Sequence, residues 1–166
     1  MTNIRSEKKL YFDSNVQYIK RKVTREHEYY IWKFQYYLRK EESASNILVQ
    51  LWYRRKKNIL GTKLGFMIPA GVFDSGLHIW HYGGIIVNGY AKVGKNCILH
   101  GDNCIGNNGM TLAAPKIGDN VDIGVGAKII GDITIADNVK IGAGAVIVKS
   151  ITTPGVTVIG IPGRVI

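Results

Sequence analysis

The chain has 166 residues, with 22 lysines and arginines against 12 aspartates and glutamates, for a formal net charge of +10. That length holds one domain plus an accessory segment. No apolar run approaches about 18 residues and the opening MTNIRSEKKLYFDSN has no apolar leader core, so a helical membrane span and a secretory signal are not expected, and a cytoplasmic protein is.

Taken in order, residues 1–23 are polar and basic around Tyr11, Phe12, Val16, Tyr18, Ile19 and Val23, and Asp13, Ser14 or Asn15 can cap a short helix there. Thr24 is placed to N-cap a stronger helix, with Glu26 and Glu28 favourable in its first turn. Tyr30, Ile31, Phe34, Tyr37 and Leu38 give that helix one apolar face, and Trp32 and Tyr36 widen it. A second helix is predicted from Ile47, Leu48, Leu51, Trp52 and Ile59, ending near Gly61 with the basic cluster Arg54–Lys57 in its last turns. Residues 1–62 thus read as an α-helical segment. Residues 63–80 lead into a different pattern, with Ile68, Val72, Leu77 and Ile79 available to a first irregular coil.

From Val87 every sixth residue is aliphatic: Val93, Leu99, Ile105, then Ile117, Ile123, Ile129, Ile135, Ile141 and Ile147. The phase survives an interruption at 107–116. Small or branched residues recur at a second phase in Val121, Ala127, Ile133, Val139 and Ala145. A period of six fits neither a lone helix nor an ordinary strand and marks a parallel β-helix, in which the aliphatic residues stack along the axis. Gly124, Gly126, Gly142, Gly144, Asn120 and Asn138 suit its corners, where positive φ is tolerated. The predicted class is mainly β, a parallel β-helix over 63–166 behind the helical segment. Cys97 and Cys104 lack a CxxC spacing and read as small apolar fillers in a reducing compartment, with no metal expected. The basic excess invites an anionic partner. It does not alternate with base-stacking aromatics, so nucleic acid is not expected and a phosphorylated cofactor is the milder match. No amphipathic insertion helix is evident, so stable membrane insertion is not expected either.

Together the hexads, the His81-Tyr82-Gly83-Gly84-Ile85-Ile86-Val87 block, Ala114-Pro115-Lys116-Ile117-Gly118, Ile141-Gly142-Ala143-Gly144-Ala145-Val146 and the terminal Gly160-Ile161-Pro162-Gly163-Arg164 resemble the hexapeptide-repeat acyltransferases, in the serine acetyltransferase-like branch. The helical stretch Ile31–Lys40 followed by Lys63–Pro69 looks more like the short relatives among bacterial surface-polysaccharide O-acetyltransferases. The resemblance implies a left-handed β-helix, a homotrimer, and acetyl-CoA in the groove between subunits.

It also implies roles. His81 aligns with the catalytic histidine and is the expected general base, since a neutral imidazole takes a hydroxyl proton near pH 7. His100, one coil later, is expected to help bind the acceptor, together with Asp102 and Asp74. Val125, Gly126, Ala143 and Gly144 match positions where small residues admit the pantetheine arm, and Lys149 and Arg164 are candidates for the CoA phosphates. The sequence departs from the serine enzymes at four places: Phe66 replaces the aspartate that orients the base, Trp80 replaces the acidic residue before it, and Ala113 and Ala114 replace an Arg-His pair. Asp74, Asp102 or a backbone carbonyl remain as orienting groups. A zwitterion needs charged partners, so the expected acceptor is a sugar hydroxyl in surface-polysaccharide synthesis, with serine O-acetylation in cysteine synthesis as the alternative. A zinc hydratase built on His78, His81 and His100 lacks the expected His-x4-His pair, and a non-catalytic scaffold would bind no acetyl-CoA. His27 reads as a helix-surface residue.

Overall fold

The six-residue phase winds into coils. A computed structural model describes residues 4–166; residues 1–3, the start of the stretch read as lacking a leader, lie outside the described residues. Short strands stack in three sheets whose neighbours are parallel and about one coil apart in sequence. One face holds β1 (Phe66–Met67), β3 (Ile85–Val87), β6 (Cys104–Gly106), β9 (Lys128–Ile130) and β12 (Val146–Ile147). A second holds β2 (His78–Ile79), β5 (Ile98–Leu99), β8 (Asp122–Ile123), β11 (Lys140–Ile141) and β13 (Thr157–Ile159), closed by the antiparallel β14 (Arg164–Val165). The third holds β4 (Lys92–Val93), β7 (Lys116–Ile117) and β10 (Thr134–Ile135). This is a three-faced parallel β-helix.

All ten aliphatic positions of the phase are buried, from Val87 to Ile147, as is the second series Val121, Ala127, Ile133, Val139 and Ala145. Ile68, Val72, Leu77 and Ile79 fill the first coil as expected. Each such aliphatic side chain contributes about 1.5–3 kcal/mol by leaving water. The corner readings divide. Asn120, Asn138, Gly126 and Gly144 have positive φ. Gly124 and Gly142 do not; they are needed for space, since a Cβ at Gly124 would sit 2.7 Å from the Ala143 nitrogen and one at Gly142 would sit 2.7 Å from Ile159.

Four helices precede the coils: α1 (Ile4–Lys8), α2 (Asn15–Val23), α3 (His27–Ser43) and α4 (Ile47–Leu64). Ser14 caps α2 by accepting from the Gln17 N–H. Thr24 is not the N-cap of α3; it ends α2, and Arg25 at φ 58 turns the chain so that α3 begins at His27. The Glu26 N–H donates to the Arg21 carbonyl across that turn, the six-to-one bond of a Schellman-type cap. Helix α4 runs past Gly61 to a left-handed Gly65. Gly61 lies inside it because a Cβ would come 2.7 Å from the Phe66 carbonyl oxygen. The basic cluster is therefore mid-helix, and Arg54 and Lys57 pair with the buried Glu41 at 2.8 and 2.9 Å.

An open end of a parallel β-helix exposes unpaired backbone groups, and the helical layer meets them. The Tyr11 hydroxyl accepts from the Ile79 N–H at 2.9 Å and donates to Gln35 Oε1 at 2.7 Å. Gln35 Nε2 donates to the Leu77 carbonyl, Arg39 to the carbonyls of Phe73 and Asp74, and the Gly76 N–H donates to Glu7. Glu7 and Arg39 are themselves a fully buried ion pair at 2.9 Å. Apolar packing completes the joint, with Phe34 edge-on to Phe66 at 5.1 Å. Phe66 is thus a core residue at this joint. No helix among the described residues is long and apolar enough to cross a membrane.

Candidate active site

The corner after β2 differs from those below it. Ile79 pairs with Leu99 and Ile86 with Cys104, so residues 80–85 make the turn that 100–103 make one coil down. The two extra residues push His81 and Tyr82 outward, and both are exposed. Gly101, at φ 114, leaves room beneath: a Cβ there would lie 3.4 Å from the His81 Cβ.

Below His81 the same edge continues through Gly101, Val125 and Ala143, linked by Gly126 N–H to the Gly101 carbonyl at 2.9 Å and Gly144 N–H to the Val125 carbonyl at 2.8 Å. Four of the candidate cofactor positions, Val125, Gly126, Ala143 and Gly144, therefore form one strip of small or apolar residues leading to His81. Positive φ at Gly126 and Gly144 means the backbone demands glycine there regardless of any ligand. Arg164 lies at the foot of the β-helix, opposite Ile159 in β14. Lys149 follows β12, at the end of that strand away from the Ala143–Gly144 corner.

The acceptor candidates are also separated. Asp74 precedes β2 while His81 follows it, and its carboxylate accepts from the Ser75 N–H, so the fold does not bring it to the base. Asp102 stands on the His81 edge, against Gly84, and is paired with Lys128 at 3.5 Å. His100 is held by Asp122, Nε2 to Oδ1 at 2.8 Å, and stacks on Trp80 at 5.4 Å with an interplanar angle of 12°. Trp80 thus covers His100 with an apolar ring where the resemblance implies a carboxylate. Ala113 is partly exposed and Ala114 buried, on the 107–115 excursion between β6 and β7. His78 meets Tyr11 edge-on at 5.0 Å; burial, with His100 adding to it, holds its imidazole below the ordinary value.

A cavity of about 380 Å³ opens between the helical layer and the first coil, where Asp13, Arg21, His27, Glu28 and Trp80 line it beside His81. The His81 ring stands 6.3 Å from the His27 ring and 6.4 Å from Trp80. Of the carboxylates nearby, Asp102 pairs with Lys128, Asp122 with His100, and Glu28 through Oε1 with Arg21. His27 is exposed at the start of α3, as its helix-surface reading expects, but its place beside His81 was not foreseen. No local pattern marks it; only the turn at Arg25 aims the start of α3 at this corner. Larger concavities, of about 390, 520, 710 and 850 Å³, lie elsewhere and have no histidine in their walls. Among the described residues no group of three His, Cys, Asp or Glu side chains could hold a metal ion.

Known proteins are similar to this chain in sequence and fold. The bacterial transferase hexapeptide family, in its six-repeat form, matches residues 114–149. Serine acetyltransferase from Staphylococcus xylosus is 32% identical over 133 residues, covering 74% of this chain and 61% of that protein. Among solved structures, serine acetyltransferase from Brucella abortus in complex with coenzyme A superposes with a TM-score of 0.71 at 28% identity, covering 81% of this chain and 55% of the other. The Neisseria gonorrhoeae serine acetyltransferase in complex with serine gives 0.63 at 27% identity, with coverages of 84% and 56%. The chain spans only 40–61% of the length of the serine acetyltransferases it matches in sequence. The expected surface-polysaccharide branch finds no support here, because these relatives carry the name that the serine alternative predicts. By its repeat and by the coils that repeat builds, the chain carries the hexapeptide repeat of the bacterial transferases, wound as a parallel β-helix beneath a helical cap.

Proposed function

We propose that the chain is an acetyl-CoA-dependent O-acetyltransferase with His81 as general base. The observation that carries this reading is the position of His81. It is exposed at the head of a strip of small residues and at the mouth of a cavity, so a thioester along the strip and a hydroxyl in the cavity would meet at its ring. In that reaction a ring nitrogen of His81 takes the acceptor hydroxyl proton as the oxygen bonds to the thioester carbonyl carbon. The tetrahedral oxyanion then collapses, the carbon–sulfur bond breaks, and the CoA thiolate leaves with the proton from the imidazolium. Left-handed winding and a homotrimer with acetyl-CoA between subunits belong to the same reading.

L-serine is the acceptor these relatives favour. A second reading, an uncharged hydroxyl compound such as a sugar, rests on Trp80 and Ala113, which offer a zwitterion no charge. The deciding experiment is release of free CoA thiol by the purified protein with L-serine and with free and nucleotide-linked sugars. Serine-dependent release supports the first reading; release with sugars alone replaces it by the second; no acetyl-CoA binding overturns both.

A further inference from the structure

The charge that Trp80 does not supply is present on the opposite wall of the cavity. Glu28, in the first turn of α3, is anchored through one oxygen: Arg21 Nη1 stands 3.0 Å from Oε1. The other oxygen, Oε2, is buried and accepts no hydrogen bond among the described residues. His27 Nδ1 approaches it at 3.5 Å, too far for a formed N–H···O bond. A buried carboxylate oxygen without a donor carries an unrelieved desolvation cost, so any donor presented to it is bound with gain. Glu28 lines the cavity beside His81, where Asp13 adds a second carboxylate. The His27 ring stands 6.3 Å from that of His81 and 6.1 Å from that of Tyr82.

We infer that Glu28 is the acceptor-binding carboxylate of this chain. Its Oε2 receives the ammonium group of a small amino-hydroxy acceptor, of which L-serine is the simplest. His27 is a positioning residue that sets the wall against which the acceptor hydroxyl turns toward His81. The inference rests on the assignment of His81 as base. It explains how a zwitterionic acceptor is held although Trp80, Ala113 and Ala114 are uncharged: the cationic end is met by the helical layer.

The test is steady-state kinetics of thiol release by the full chain, with L-serine and with glycerate, in which a hydroxyl replaces the ammonium group. Glu28→Gln keeps the shape and removes the charge. A charge-assisted bond is roughly twice as strong as a neutral one, so the serine KM is expected to rise at least about tenfold. The acetyl-CoA KM should stay within about twofold, because the pantetheine strip is untouched. Glycerate should lose less than serine. His27→Asn should raise the serine KM with kcat changed less. An unchanged serine KM in Glu28→Gln overturns the inference, as does a wild-type protein that neither binds nor acetylates L-serine. A merely structural role would shift both KM values and the melting temperature together. His81→Ala, run in parallel, isolates the underlying reading: full activity there sinks the base assignment, while the serine KM of Glu28→Gln still judges the wall by itself.

Discussion

Glu7→Ala tests whether the helical layer is built into the β-helix or merely rests on it. Glu7 is buried and makes a two-oxygen contact with Arg39, at 2.9 and 3.1 Å, while also accepting from Gln35 and from the Gly76 N–H. Arg39 is equally buried. Burial lowers its pKa, but its bonds to Glu7 and the charge of Glu42 outweigh that and lift the guanidinium above its ordinary value. Removing one partner strands the other in a low-dielectric interior, at about 3–5 kcal/mol. The orphaned Gly76 N–H belongs to the same cluster, so its cost is not simply added. Against a domain stability of about 5–15 kcal/mol the loss is large. It is measured by urea unfolding followed by both helical circular dichroism and tryptophan fluorescence. Arg39→Met and the double variant complete a cycle, and the double variant should be destabilised by clearly less than the sum of the singles. A Glu7→Ala cost under about 1 kcal/mol, or strict additivity, would refute the claim that this pair clamps the layers.

Three further outcomes follow from the same geometry. Ile123 is fully buried and stacked between Leu99 and Ile141, so Ile123→Ala should cost about 2–5 kcal/mol in the same unfolding assay. Arg25 holds a left-handed φ of 58 at the end of α2, so Arg25→Gly should raise stability by about 0.5–1 kcal/mol, read as an upward shift of the melting midpoint. The folded His78 pKa lies below the ordinary 6.5, so the unfolded chain binds the proton more readily. The neutral ring's contribution is therefore complete above about pH 6.5 and is lost as pH falls toward the folded value, and His78→Gln should flatten that slope when urea midpoints are compared between about pH 7.5 and pH 5.

The β-helix was legible because its period is local and repeats: each aliphatic residue meets its equivalent one coil away, and the spacing writes that contact into the sequence. The cofactor positions from Val125 to Gly144 came from the resemblance, and the coil register sets them along one edge. What the sequence hid depends on contacts between segments without a shared period. Glu7 and Arg39 are 32 residues apart and each looks like a solvated helix charge until the layers meet. His27 is a surface residue, but its approach to His81 is set by one left-handed residue, and the same turn makes Thr24 the end of α2 rather than the N-cap of α3. Asp74 precedes β2 while His81 follows it, a separation that a two-residue strand does not advertise.

The most direct test of the account is CoA thiol release by the purified wild-type chain and by His81→Ala at saturating acetyl-CoA and L-serine. The account predicts turnover in the wild type and a loss of kcat of about 100-fold or more in the variant, with acetyl-CoA binding retained. Equal rates in the two proteins would contradict it, because the His81 imidazole at the head of the strip would then take no part in the reaction.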